Sequence, residues 1–322
     1  MSAQIMNPFK RLAGACMKWK VVGEPLSKAL LSLGATGWSR RAANHSGFLP
    51  AVVPIEIPGP GGAVISGVMA SENDMIATLC WKQRMGALHF EWPLPQLYVS
   101  LAQSSSVVMS VGANTGFYEV LAACASPQLQ LHAFEPYPPA IRAFERNMRL
   151  NDLEARVNLV QKAVSNAEGV LTLHIPLEEN FPGSVATNCS LNPDFNATNV
   201  DRVEVEVTTL DAFTAAASID RIDVLHIDAE SVEPEVLEGG RETLKRCSPI
   251  VVLEVLGDTD CGRINAVLDG LDYVCHYFDG SELKATADVR FQASDTNQVL
   301  CPNGKLELLR NCAAQVDVAV SP

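Results

Sequence analysis

The sequence is poor in positive charge. Its 322 residues hold 24 Lys and Arg against 37 Asp and Glu, a formal charge of −13. That argues against a protein that clamps nucleic acid through phosphate contacts, and it gives no support for binding anionic lipid. Regular cysteine spacing is also missing. Nine cysteines are scattered with no C-x-x-C pair, the pattern of reduced thiols in a cytoplasmic protein rather than of a disulfide framework. Lys10, Arg11, Lys18 and Lys20 are a local basic exception. They break the apolar residues of Met1–Gly23, so no clean secretory h-region exists. No uncharged run is long enough to span a bilayer. Internal repeats and low-complexity tracts are absent. The N-x-S/T triplets at Asn44, Asn188 and Asn196 stand without a secretory signal and read as chance. No His/Asp grouping has ligand spacing, so no metal is assigned.

What is present is a globular chain, 48% hydrophobic with 19% charged residues, enough for a sizeable core. Phe9–Lys20 and Leu26–Leu33 suggest short amphipathic helices in a partner-binding arm. Val52–Val68 reads as a hairpin turning at Gly59-Pro60-Gly61-Gly62. Met75–Phe90 is ambiguous between helix and strand. From Ser104 the rhythm becomes strand, helix, strand. Strands are expected at 106–111, 130–134, 157–161, 223–228 and 250–255, and helices at 116–125, 138–150 and 232–246. Such alternation indicates a doubly wound α/β fold with a mostly parallel sheet. A helix at Gly262–Leu268 and strands at Tyr273–Phe278 and Asn297–Cys301 follow, the last returning antiparallel to complete seven strands. Between the third and fourth strands, Val170–Ile175 and Val203–Val207 flank a polar loop, Glu178–Asp201, long enough for a lid. The domain reading is an N-terminal extension over 1–100, able to serve dimerisation or lid closure, a main domain over 101–310, and a C-terminal tail over 311–322.

Two segments carry the chemistry. The first is the apolar run Val107–Val111 ending in Gly112-Ala113-Asn114-Thr115-Gly116, with Glu135 closing the next strand nineteen residues later. Glycines only make a tight strand-to-helix turn. A turn followed by a carboxylate at a strand end is how doubly wound proteins build a nucleoside site. The nicotinamide fingerprint G-x-G-x-x-G fails here, because Asn114 and Phe117 stand where its second and third glycines belong. A G-x-G-x-G loop with its centre changed to Asn fits, and Asn tolerates a left-handed backbone. Glu135 could instead cap a helix, but its Pro136 and Pro138-Pro139 flank favours the site.

The second segment is Asp223–Glu233. Asp228 and Glu230 stand at the carboxyl end of a buried strand, the edge where open α/β sheets bind ligands, and could deprotonate a substrate hydroxyl. Glu233 and Glu235 suit the first turn of the next helix. His226, inside the apolar run, reads as a satisfied core residue. Glu254 ends the following strand at the same edge and is expected to line the substrate pocket.

Together these segments resemble the FkbM family of S-adenosylmethionine-dependent methyltransferases. The matching pieces are Val111–Gly116, Ala133–Pro138, Ala163-Val164-Ser165, Val207–Asp211, Ile227–Glu230 with Glu233, and Pro249–Glu254, which cover about 104–256. The resemblance implies a class I methyltransferase fold, S-adenosylmethionine as cofactor, and methyl transfer to an oxygen of a small molecule or sugar. By the same resemblance Gly112, Ala113, Asn114 and Gly116 cradle the methionyl part and Glu135 binds the ribose. Tyr137 lies near the adenine, with Ala163 and Val164 along its edge. Asp228 and Glu230 face the transferred methyl, and Asn180, Gly183 and Ser184 lie near the acceptor. Three positions depart from the family pattern: Ser110 stands for the usual Asp, His226 for Lys, and Ser231 for Gly. Ser110 is the feature that favours a rival reading, a non-catalytic nucleoside-binding module that recognises a partner through residues 1–100.

Overall fold

The computed structural model describes residues 20–35, 38, 49–72, 74–82, 90–176, 185–195 and 199–321. Helix α1 (Lys20–Ser32) covers most of the helix expected at Leu26–Leu33. Phe9–Lys20, apart from its last residue, lies outside the described residues. The alternation around the Gly-rich turn produces an antiparallel hairpin of β1 (Val52–Pro58) and β2 (Val64–Ala70). Val53, Ile55 and Ile57 share its buried face, as a period of two requires. The ambiguous stretch opens as helix α2 (Met75–Lys82). Helix α3 (Leu94–Gln103), which no pattern announced, leads into the sheet and is buried along almost its whole length.

The expected alternation follows: β3 (Val107–Val111), α4 (Phe117–Ala125), β4 (Gln130–Phe134), α5 (Pro138–Leu150) and β5 (Val157–Val160). The insertion makes a small sheet of its own from β6 (Ala163–Val164), β7 (Gly169–Pro176) and β8 (Asn199–Thr208). After α6 (Leu210–Ala216) come β9 (Val224–Ile227), α7 (Glu233–Glu238), α8 (Arg241–Cys247) and β10 (Ile250–Glu254). The single helix expected over 232–246 is thus two. Its break falls at Gly239-Gly240, where a Cβ on Gly239 would lie 2.1 Å from the Ser165 carbonyl oxygen. The chain closes with α9 (Cys261–Leu268), β11 (Tyr273–Asp279), β12 (Glu282–Thr286), β13 (Asn297–Pro302), α10 (Leu306–Ala314) and β14 (Ala319–Ser321).

Among the described residues the main sheet has nine strands, in the order β14-β12-β11-β13-β10-β9-β3-β4-β5. The five from β10 to β5 are parallel, and β13 is antiparallel to both β10 and β11. The seven expected strands are all there. The two additional ones, β12 and β14, extend the antiparallel edge, so residues 311–322 supply an edge strand and the end of α10. Among the described residues no helix is long and apolar enough to cross a membrane, and eight cysteines are free thiols.

Alternation divides the core between the two sheet faces. Met109, Val111, Leu225, Ile227, Val251 and Leu253 pack on one side. Val108, Val224, Ile250 and Val252 pack on the other, together with the hairpin, α3 and α4. Position 110 on β3 pairs with His226, which pairs with Val252 on β10. Two residues further along that face come Asp228 and Glu254. A polar stripe therefore runs up an otherwise apolar face to the carboxyl edge of the sheet.

The hairpin is tied to this frame by amides. Fully buried Asn147 on α5 accepts from the Ala70 N–H and donates to the Thr115 carbonyl, both at 2.8 Å. Asn151 accepts from the Val68 N–H and donates to its carbonyl. Removing one partner of a buried hydrogen bond costs about 1–3 kcal/mol. Asn147→Ala, which orphans groups on both the hairpin and the glycine turn, should lower stability to urea by about 2 kcal/mol or more, measured as a shift in the unfolding midpoint.

Candidate active site

The glycine turn after β3 lies directly on the segment after β9. Gly112 has φ +84°, and a Cβ there would stand 1.7 Å from the Asp228 carbonyl oxygen, so glycine alone fits. The N–H groups of Gly112 and Ala113 both donate to the Phe134 carbonyl at 3.1 Å. Asn114 adopts the left-handed conformation at φ 48°, as its residue type allows. Its N–H donates to Glu135 Oε2 at 2.8 Å, and the Tyr137 N–H donates to Oε1 at 2.8 Å. Glu135 thus clamps two turns together. Burial pushes its carboxyl up to about 7 despite these two bonds.

These elements open onto a cavity of about 550 Å³ lined by Gly112, Asn114, Glu135, Tyr137, Ala163 and Val164, among others. The inserted segment forms its roof through Ala186, Thr187, Cys189 and Leu191. It is anchored where Asn114 Nδ2 donates to the Ala186 carbonyl at 3.4 Å and Ser190 Oγ donates to the Glu230 carbonyl at 2.6 Å. Ala113 faces a second cavity instead. Gly116, at φ 88°, caps α4 and packs on Phe144 and Met148. Asn180, Gly183 and Ser184 lie outside the described residues.

The second cavity, about 820 Å³, shares Gly112, Asn114, Thr187, Asp228 and Glu230 with the first. Glu254 lines it, at the edge expected from the sequence. Asp228, Glu230 and Glu254 offer oxygens within 4.8 Å of one another, a spacing that a divalent ion could bridge. Burial and the neighbouring Glu254, Glu230 and Glu91 carboxylates hold Asp228 well above the usual carboxylate range, and it is hydrogen-bonded to Glu254.

Several residues of this cavity escaped the sequence reading. Glu91 precedes α3 and accepts from the Tyr118 hydroxyl; burial pushes its carboxyl up to about 7, helped by Glu254 and Asp295. Glu119 is 1% exposed and burial likewise pushes it up to about 7. Phe117 and Tyr118 complete the wall beside Phe90. A carboxylate inside the apolar helix Phe117–Ala125 was the available signal for Glu119. Nothing local distinguishes Glu91.

The departures at 110 and 226 meet in space. Ser110 Oγ lies 3.4 Å from His226 Nδ1, and both are buried. Burial lowers the imidazole to about 4, so it is neutral near pH 7, packed against the rings of Tyr118 and Tyr98 at 4.6 and 5.2 Å. Ser231 adopts φ 72°, a conformation that suits glycine. Its hydroxyl donates to Asp258 at 2.5 Å. Glu233 holds that segment in shape. Its Oε1 accepts from the N–H groups of Ala229 and Ser231, each at 3.1 Å. Glu235 is paired with Arg263.

Comparison with known proteins shows which family the chain resembles. A family model described as the methyltransferase FkbM domain matches residues 110–275. The 2-O-methyltransferase NoeI of Sinorhizobium fredii is 27% identical over 158 residues, 47% of this chain and 64% of its own length. The 31-O-demethyl-FK506 methyltransferase FkbM of Streptomyces tacrolimicus is 27% identical over 262 residues, 74% of this chain and 94% of its own. The chain spans only 64% of NoeI and 61% of the methyltransferase sdnD of Sordaria araneosa. A solved structure of a methyltransferase FkbM from Methylobacillus flagellatus is 13% identical with a TM-score of 0.39, covering 61% of this chain and 43% of that one.

Two outcomes follow from the geometry. Gly112→Ala drives a methyl group into the Asp228 carbonyl and should destabilise the fold by more than about 1 kcal/mol, read by denaturant unfolding. Glu119, Glu135 and Glu233 each titrate near 7 when folded against an ordinary value of 4.5. Between these values the folded state binds more protons than the unfolded one, so stability falls as pH rises through that window. Thermal melts of the ligand-free protein should give a higher Tm near the acid end of the window than just above its alkaline end.

Proposed function

The chain belongs to the FkbM methyltransferase family, and on that premise we propose that it is an S-adenosylmethionine-dependent O-methyltransferase acting on a hydroxyl of a small molecule or sugar. The observation that carries this reading is the meeting of the two cavities at Gly112, Asn114, Asp228 and Glu230. One compartment suits a nucleoside, the other an acceptor, and among the described residues they share Gly112, Asn114, Thr187, Asp228 and Glu230.

The residues of the first cavity fit the cofactor. Gly112 lets the turn lie directly against the Asp228 backbone, where a Cβ would clash, and the turn lines the cavity there. Each Glu135 oxygen already takes one backbone N–H and keeps a lone pair for a ribose hydroxyl. Tyr137, Ala163, Val164 and Leu173 provide an apolar wall for a purine. When bound, the cofactor supplies a methyl group on a sulfonium, which the acceptor oxygen takes as the carbon–sulfur bond breaks. The protein's task is then alignment and removal of one proton. Asp228 and Glu230 stand at the junction to receive it, with Glu254 hydrogen-bonded to Asp228 and able to share it. Burial and the neighbouring carboxylates hold Asp228 above the ordinary carboxylate range, so it must lose a proton before it can act as a base, and turnover should rise with pH.

The rival non-catalytic reading rested on Ser110. That residue lies beneath the strand with His226 and lines neither cavity, so the substitution leaves both compartments open. Calorimetry with S-adenosylhomocysteine and turnover assays across hydroxylated acceptors test the proposal. Asp228→Asn with Glu230→Gln should lower turnover roughly a hundredfold or more and reduce cofactor affinity far less. Intact turnover in the double variant would remove the carboxylates from the mechanism. No heat with S-adenosylhomocysteine would remove the cofactor.

A further inference from the structure

We propose that the acceptor is a hydroxylated amine, its ammonium group received by the carboxylates of the second cavity. This rests on the methyltransferase reading above and names the class of its substrate. Five carboxylates line the cavity, Glu91, Glu119, Asp228, Glu230 and Glu254, and among the described residues no Lys or Arg does. An anionic acceptor, phosphorylated or carboxylated, would meet only repulsion there.

Glu119 points to the sign of the missing partner. Its Oε1 is buried without a hydrogen-bond partner, on a residue that lines the cavity and is 1% exposed. A buried carboxylate oxygen left unpaired is costly unless something donates to it. Phe90, Phe117 and Tyr118 line the same space, with ring centroids 5.2 Å apart for the first pair and 5.3 Å for the second, edge to face. Aromatic faces beside carboxylates attract ammonium groups. In the absence of a cation, burial and then the neighbouring carboxylates hold the Glu91 and Asp228 carboxyls above the ordinary range, so these two keep their protons more readily. An entering ammonium replaces those protons. A divalent ion would satisfy Asp228, Glu230 and Glu254, but Glu119 is not of that group and would keep its orphan oxygen. A neutral polyol could donate to single oxygens without relieving the accumulated charge.

The test is calorimetry on the full chain saturated with S-adenosylhomocysteine, so that the cofactor's own ammonium is already in place in every arm. Glucosamine below the pKa of its amine, N-acetylglucosamine, glucose and glucuronic acid serve as probes, each with magnesium and with chelator. Glucosamine should bind roughly tenfold or more tighter than the neutral sugars, the scale of one charge-assisted hydrogen bond. Its binding heat should vary with the ionisation enthalpy of the buffer, which registers proton release. Glu119→Gln should remove most of that preference, and Glu91→Gln serves as a second variant, with thermal melts confirming that each is folded. Equal binding of glucosamine and glucose, no binding of glucosamine, tighter binding of glucuronic acid, or neutral-sugar binding that requires magnesium overturns the proposal. So does a preference that survives in both variants. Failure of S-adenosylhomocysteine itself to bind is a different result, which strikes the cofactor reading.

Discussion

Backbone rests on backbone where Gly112 meets Asp228, and the arrangement of the site follows from that contact. A single Cβ would stand inside covalent range of the Asp228 carbonyl oxygen. The turn after β3 and the segment after β9 are therefore as close as two chains can pack. Because they touch, the compartment bounded by Glu135 and Tyr137 and the one bounded by Glu91 and Glu254 share a wall at Asp228 and Glu230.

Carboxylates hold this geometry as well as serving it. Glu135 bridges the turns after β3 and β4 with one backbone N–H on each oxygen. Glu233 accepts the N–H groups of both Ala229 and Ser231 on one oxygen and the Thr259 hydroxyl on the other at 3.3 Å. It thereby fixes a segment in which both Glu230 and Ser231 have positive φ. Backbone strain of that kind persists only where surrounding bonds over-determine it. The same burial that lets these acids organise the backbone raises their proton affinity, so structural order and charge state are linked throughout the site.

The changes at 110 and 226 become one change when seen in the sheet. The two residues are ladder partners on adjacent parallel strands, and a hydroxyl facing a neutral imidazole requires no buried charge. Glu119, across from Ser110 on α4, keeps a carboxyl in the same neighbourhood.

By itself the sequence determined the alternating strands and helices from Val107 to Glu254. It also marked the glycine turn, Glu135 at its strand end, and Asp228, Glu230 and Glu254 at the carboxyl edge. These are local matters: a period of two buries one face, a glycine permits positive φ, and a strand's last residue faces the edge. The tertiary structure alone decided the lining of the second cavity. Glu91 precedes α3, Tyr118 and Glu119 stand in the first turn of α4, and no spacing in the chain marks them as neighbours of Glu254. They meet because the hairpin, α3 and α4 cover the same sheet face along which alternation drives Ser110, His226, Asp228 and Glu254. The break at Gly239 was hidden for the same reason. It answers to the Ser165 carbonyl, which lies more than seventy residues away in the chain and in van der Waals contact in the fold.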